Sequence, residues 1–208
     1  MTRRLGILIS GRGSNLQAIL AAIRRGELDA SVAVVISNKP EAAGLAHAHQ
    51  AGVASEVLDH RAFRSRPEYD AALVARLREH DVGLVCLAGF MRLLSPVFVH
   101  AFPHAILNIH PSLLPAFPGV DAQTQALAHG VKITGCTAHF VTEELDGGPI
   151  VLQAPVPVVP DDTSETLAAR ILEEEHRIYP AAIALVLAGG WRIDGRRFVA
   201  SAPASVRR

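Results

Sequence analysis

Lysine is almost absent from this chain. It occurs only at Lys39 and Lys132, so nearly all of the 20 basic residues are arginine. They are matched by 20 acidic residues, and a formal net charge of zero removes the electrostatic ground for a nucleic-acid partner. Cysteine is scarce too. Cys86 and Cys136 lie in separate apolar runs and are not spaced as a metal-ligand pair, which points to buried free thiols in a reducing compartment. No signal-peptide pattern opens the chain, because Met-Thr-Arg-Arg-Leu-Gly runs straight into a core strand. No apolar run reaches the ~20 residues of a membrane span. The expectation is a cytoplasmic protein with no membrane partner. Disorder is excluded as well, since 50% of the residues are hydrophobic and 19% charged. A chain of 208 residues suffices for one substantial core, and no repeat, low-complexity tract or linker divides it.

What is present is organised around Ile106-Leu-Asn-Ile-His-Pro-Ser-Leu-Leu-Pro115. The run from Ala105 to Ile109 reads as the end of a buried strand, interrupted by Asn108 and His110. In a strand, residues two apart share a face, so an amide and an imidazole project side by side from a sheet rim. Pro111 biases His110 towards extended backbone. An amide donor beside a proton-exchanging group suits a carbonyl carbon that must become tetrahedral.

Along the chain, Leu5 to Ser10 reads as a strand, Gly11-Arg-Gly-Ser-Asn15 as a Gly-rich turn, and the residues through Ile23 as a helix. Backbone N–H groups at such a turn and helix N-terminus favour an anion. A dinucleotide fingerprint needs glycine where Leu16 stands and an acidic residue where Ser37-Asn38 follows the second strand. A P-loop needs Gly-Lys-Ser/Thr, and no lysine is near. A mononucleotide or sugar phosphate therefore fits better than NAD or ATP; a tight turn with no ligand is the other reading of the same residues. Strands follow at 31–37 and 54–58, with a helix from Glu41 to Gln50 between them. Ser65-Arg-Pro-Glu68 reads as a capping box opening a helix through His80. Arg66 at that helix start is disfavoured by the macrodipole, so it either points into solvent or serves an anionic ligand. Asp81 to Gly89 is the clearest buried strand. It delivers Phe90-Met-Arg-Leu-Leu94 to a carboxyl edge, where ligands bind in open parallel sheets, and these side chains either join the core or wall a flat heteroaromatic ligand.

A short helix opens at Ser95-Pro-Val-Phe, and another ends near His129. Val131 to Val141 and Pro149 to Val156 read as a hairpin. The loop joining them contains Asp146-Gly147, for which turn formation is the simpler reading and a carboxylate returned beside His110 the functional one. Asp162-Thr-Ser-Glu165 reads as a second capping box, opening a helix that Pro180 kinks or restarts and Gly189-Gly190 ends. Trp191 to Val199 reads as a single edge strand, and Ser201 to Arg208 as a loose tail.

These pieces together resemble the folate-dependent phosphoribosylglycinamide formyltransferases. The resemblance runs from about Leu5 to Phe198. It rests on Ile-Ser-Gly-Arg-Gly-Ser-Asn-Leu (9–16), Leu-Ala-Gly-Phe-Met-Arg-Leu-Leu (87–94), Asn-Ile-His-Pro-Ser-Leu-Leu-Pro (108–115), Leu-Asp-Gly-Gly-Pro-Ile (145–150) and Glu-His-Arg-Ile-Tyr-Pro (175–180). It implies an α/β fold, an open, mostly parallel twisted Rossmann-like sheet with helices on both faces. The whole of 1–208 would be a single formyltransferase domain, its N-terminal half binding phosphate and its C-terminal half completing a folate cleft. The family's catalytic residues fall on Asn108, His110 and Asp146. Substrate binding falls on Gly11, Arg12, Gly13, Ser14, Asn15 and Glu175, the last near the glycine amine. Folate contacts fall on Arg66, Phe90, Met91, Arg92, Leu93, Leu94, Asn108 and Val141. The co-substrate implied is 10-formyltetrahydrofolate, with no metal.

Some relatives carry a lysine and histidines where Ala116, Asp121 and Gln123 stand here, which bears on ribose recognition. A formyltetrahydrofolate deformylase resembles the same half of the family and hands the formyl group to water, but carries an additional N-terminal domain, whereas here the first strand is expected near Met1. A formyltransferase for another amine and a non-catalytic folate or phosphate sensor are further alternatives. The partners expected are small molecules, and the chain is a monomer or a homodimer.

Overall fold

The computed structural model describes residues 2–200; the tail from Ser201 to Arg208 lies outside the described residues. Strand β1 spans Arg4–Ile9, helix α1 Ser14–Arg24, β2 Ser31–Ser37, α2 Gly44–Gln50 and β3 Ser55–Val57. A 3-10 turn at His60–Ala62 precedes α3 (Arg66–Glu79), β4 (Leu84–Leu87), α4 (Pro96–Ala101) and β5 (Ile106–His110). The chain continues through α5 (Ala122–His129), β6 (Ile133–Phe140), β7 (Ile150–Pro157), α6 (Ser164–Ala188), β8 (Trp191–Asp194) and β9 (Arg197–Ala200).

All nine strands join one sheet in the order β3-β2-β1-β4-β5-β6-β7-β9-β8. The first five pair in parallel, and β6 and β7 then add antiparallel. Central strand β4, and β1 after its exposed first residue Arg4, are apolar because both of their faces are covered; Leu5, Ile7, Leu8 and Ile9 are fully buried, as are Leu84, Val85 and Cys86. Right-handed crossovers leave β1 in one direction and reach β4 in the other, so α1 and α2 cover one face and α3 and α4 the opposite one. The packing of α1 against α2 and α6, and of α3 against α4, follows that division. Tyr179 of α6 reaches across the sheet, its hydroxyl 2.9 and 3.0 Å from the carbonyl oxygens of Leu87 and Leu107. Both cysteines are free and buried, and burial pushes the Cys136 thiol up to about 12. Among the described residues, no helix is long and apolar enough to cross a membrane.

The elements lie where the sequence places them, with corrections. The strand expected over 81–89 is regular only at Leu84–Leu87. Ser65 Oγ accepts from Glu68 N–H, but Glu68 Oε2 accepts from Arg64 N–H, so the capping box expected at the start of α3 is not closed. Helix α2 begins at Gly44, not Glu41, because the residues after Pro40 close a turn through Ala42 N–H to the Lys39 carbonyl. The cap of α6 is one residue later than expected. Thr163 and Thr166 satisfy each other's N–H groups, while Asp162 is held by a bidentate pair with Arg170 at 2.7 and 3.0 Å. Of the two outcomes expected at Pro180, a kink or a restart, the restart does not occur: α6 is one helix from Ser164 to Ala188, with Tyr179, Pro180, Ala182 and Ile183 all buried. The expected single edge strand from Trp191 is a hairpin, β8 pairing antiparallel with β9 around the two-residue turn Gly195-Arg196, with Gly195 at φ 60°.

Candidate active site

Strand β1 lies between β2 and β4, the point where the strand order reverses, and such a sheet opens a crevice at its carboxyl edge there. One wall is the turn 11–15. Gly13 has φ 75°, and a Cβ on it would lie 2.6 Å from the Gly44 Cα, so only glycine lets α2 approach the turn. Helix α1 starts with no side-chain cap and no acidic residue in its first turn, leaving its N–H groups and positive dipole end for an anion. Arg12 is exposed. Asn15 is buried; its Nδ2 donates to Glu175 Oε2 at 2.7 Å, while its buried Oδ1 has no hydrogen-bond partner among the described residues. Glu175 on α6 is 8% exposed, and burial pushes its carboxyl up to about 7 despite the Asn15 hydrogen bond.

The second wall is the irregular segment after β4. Met91 is 71% and Leu93 53% exposed, large apolar side chains held in solvent at the sheet's ligand edge. Phe90 turns inward, and Leu94 packs against the core. Arg92 lies over the Tyr69 ring at 5.3 Å, with its Nε buried and unpartnered. Arg66, Leu94, Ser95 and Glu143 line a cleft of about 400 Å³, which favours the ligand-facing reading of Arg66 over the solvent one. A neighbouring cleft of about 530 Å³ is bordered by Val99, His100 and the loop from Val141 to Glu144.

The third group stands at the next strand. Asn108 and His110 share one face of β5, and the antiparallel register sets Asn108 opposite His139 and His110 opposite Thr137. Asn108 Nδ2 lies 3.2 Å from His139 Nε2. His139 Nδ1 lies 2.9 Å from the Phe140 carbonyl and donates to it, so Nε2 is the acceptor. Burial holds the His139 pKa below its ordinary value, which keeps it neutral for that role. The loop between β6 and β7 returns Asp146 to this face, its backbone at φ 50°, a conformation that aspartate tolerates. Asp146 Oδ2 is 3.5 Å from His110 Nδ1, and Oδ1 is 3.7 Å from His139 Nε2. Oδ2 also accepts from Gly119 N–H at 2.8 Å, and His110 Nε2 donates to the Phe117 carbonyl at 2.9 Å. The 111–121 loop is thereby fastened to both ionisable groups.

The expected residues lie at the carboxyl edge or in the loops and helices around it, except Val141, which follows β6 and donates its N–H to the Ile106 carbonyl at the start of β5. Strands β1, β4 and β5 are consecutive in the sheet, so the three groups sit within roughly 10 Å across the strands. His139 is the residue the sequence reading missed. It stands in an alternating strand like any core histidine, and only the β5–β6 register brings it to Asn108. Among the described residues, no cluster of three or more His, Cys, Asp or Glu side chains is arranged to hold a metal ion.

Comparison with known proteins follows the same lines. A family described as formyl transferase matches residues 3–183. The phosphoribosylglycinamide formyltransferase of Escherichia coli (strain K12) is 47% identical over 190 residues, covering 91% of this chain and 87% of that protein. The human trifunctional purine biosynthetic protein adenosine-3 is 49% identical over 186 residues, 89% of this chain. The chain spans only 18% of that protein's length. Among solved structures, glycinamide ribonucleotide transformylase 1 from Symbiobacterium toebii superposes with a TM-score of 0.94 at 57% identity, covering 96% of this chain and 94% of that one. Phosphoribosylglycinamide formyltransferase from Anaplasma phagocytophilum gives 0.89 at 44% identity, covering 99% and 98%. Fold, site edge and relatives converge, and the chain belongs to the formyl transferase family.

Proposed function

We propose that this chain transfers the formyl group of 10-formyltetrahydrofolate to the amine of 5'-phosphoribosylglycinamide, giving the N-formyl product of purine synthesis. The observation that carries the reading is the constellation of Asn108, His110, His139 and Asp146 at one strand end, flanked by an anion cradle on one side and an apolar cleft on the other. The residues act as a single formyltransferase domain in the cytoplasm, on small molecules and without a metal.

The 11–15 turn takes the ribose phosphate on the α1 N-terminus, and Glu175 faces the glycine amine. Arg66, the exposed side chains of 91–93 and the Val141 loop take the folate. The amine nitrogen attacks the formyl carbon, a C–N bond forms, and negative charge builds on the formyl oxygen. Asn108 Nδ2 carries two N–H groups; His139 accepts one and so aims the other at that oxygen. A donor placed for an oxyanion contributes about 3–4 kcal/mol to lowering the barrier. The Phe117 carbonyl fixes the Nε2–H of His110, which leaves Nδ1 as the edge that exchanges a proton. Nδ1 takes the proton lost by the attacking nitrogen, the Asp146 carboxylate stabilises the imidazolium so formed, and the proton passes to N10 as the bond from N10 to the formyl carbon breaks.

The test is turnover of 10-formyltetrahydrofolate with and without the nucleotide. Tetrahydrofolate should appear only when the nucleotide is present. Formate released without it would replace the transferase with a hydrolase, and no reaction in either case would end the catalytic reading.

A further inference from the structure

Ser10 is the last residue before the anion cradle, yet its polar side-chain and N–H groups bond to the neighbouring strand ends and not to the cradle. It is 6% exposed. Its backbone N–H donates to the Gly89 carbonyl at 3.1 Å, and its Oγ accepts from Met91 N–H at 2.8 Å. A hydroxyl has one proton to give, and that proton goes to Asn38 Oδ1 at 2.6 Å. Asn38 is itself 2% exposed and follows β2. One side chain therefore ties together the carboxyl ends of three neighbouring strands, β2, β1 and β4.

The two walls depend on Ser10 unequally. The 11–15 turn has its own restraints: Gly44 N–H donates to the Gly11 carbonyl at 3.0 Å and Gln17 N–H to the Gly13 carbonyl at 3.0 Å, with Gly13 packed on Gly44. The segment 89–94 has no regular secondary structure. Among the described residues, the hydrogen bonds that hold its backbone run to Ser10, from Met91 N–H and to the Gly89 carbonyl. This is also the segment that holds Met91 and Leu93 exposed beyond the end of β4, next to Leu94 of the cleft.

We propose that Ser10 is a positioning residue for the folate side of the site: adjacent in sequence to the phosphate cradle, it sets the backbone of 89–94 through Met91 N–H and leaves the cradle to its own bonds. This rests on the function proposed above. Removing the hydroxyl takes the acceptor from the part-buried Met91 N–H and the donor from the buried Asn38 Oδ1, and the segment that presents Met91 and Leu93 relaxes.

The experiment is a steady-state comparison of Ser10→Ala with the parent chain, each substrate varied at saturating levels of the other, alongside thermal melting. The KM for 10-formyltetrahydrofolate should rise about tenfold, with the nucleotide KM unchanged within about twofold. Ser10→Cys fills nearly the same space with a weakly hydrogen-bonding thiol. It should show a smaller rise in the same direction, and it decides the matter if the alanine variant does not fold. Two constants rising together, or melting that falls with both constants unmoved, would make Ser10 structural only and overturn the proposal. If the parent chain itself turns over neither substrate, the proposed function fails, and this inference fails with it; turnover in the parent without selectivity in the variants sinks this inference alone.

Discussion

Replacing Glu175 by glutamine separates what this carboxyl costs the fold from what it does for a ligand. The side chain is buried on α6 and receives Asn15 Nδ2 at 2.7 Å, and burial moves its carboxyl from 4.5 up to about 7. At about 1.4 kcal/mol for each tenfold in proton affinity, that gap is worth about 3 kcal/mol. The sign follows from which state holds the proton more tightly. The folded chain does, so protonation stabilises it fully below about 4.5, the benefit is lost as pH rises through about 7, and above that the fold carries a buried carboxylate. Glutamine keeps an oxygen for Asn15 and has no charge to bury. In urea unfolding, Glu175→Gln should therefore be more stable than the parent at about pH 8 by up to about 3 kcal/mol, with the difference shrinking towards about pH 4.5. Affinity for the glycinamide nucleotide should move the other way, because an ammonium or amine loses its anionic neighbour. A variant less stable than its parent at about pH 8, or equally displaced at both pH values, would refute the burial argument. A gain in stability with unchanged nucleotide KM would leave that argument standing and remove Glu175 from the substrate site.

His110→Ala and Asp146→Ala should each lower kcat by about two to four orders of magnitude with the urea midpoint little changed; near-parental rates in either would take that residue out of the proton path. His139→Phe should lower kcat about tenfold with both KM values kept, since Asn108 loses the acceptor that aims it, and an unchanged kcat would show that the amide needs no such hold. Arg66→Ala should raise the KM for 10-formyltetrahydrofolate about fivefold through loss of a solvent-screened charge contact; an unaltered KM would return Arg66 to the solvent.

Periodicity and punctuation made most of the fold legible. Buried runs such as Leu84–Leu87 and the capped start of α3 at Ser65 are local patterns, and local physics decides them. What escaped was decided by partners distant in the chain. The α6 cap moved because Arg170 captures Asp162 eight residues away, leaving Thr163 to cap. At Pro180 the sequence left a kink and a restart open; the helix continues because the residues around it are buried against the sheet, where tertiary packing outweighs one lost hydrogen bond. The β8–β9 hairpin did carry a local signal, Gly195 at the first position of its two-residue turn, where a positive φ favours glycine. At the site, Asn108 and His110 were legible as a same-face pair, whereas Asp146 read more simply as a turn former, because its return to His110 depends on how the loop folds back. His139 had no local signal, because facing Asn108 is a property of register between two strands.

The contact between Gly119 N–H and Asp146 Oδ2 supplies a spectroscopic reporter inside the site. An amide proton directed at a carboxylate oxygen resonates according to the charge on that oxygen, and Gly119 is neither an acid nor a base in the proposed reaction. Following its nitrogen–proton correlation through a pH titration would read the Asp146 carboxylate without altering it. Repeating the titration with a folate analogue bound would show whether the ligand holds that charge in place or draws the 111–121 loop away from it.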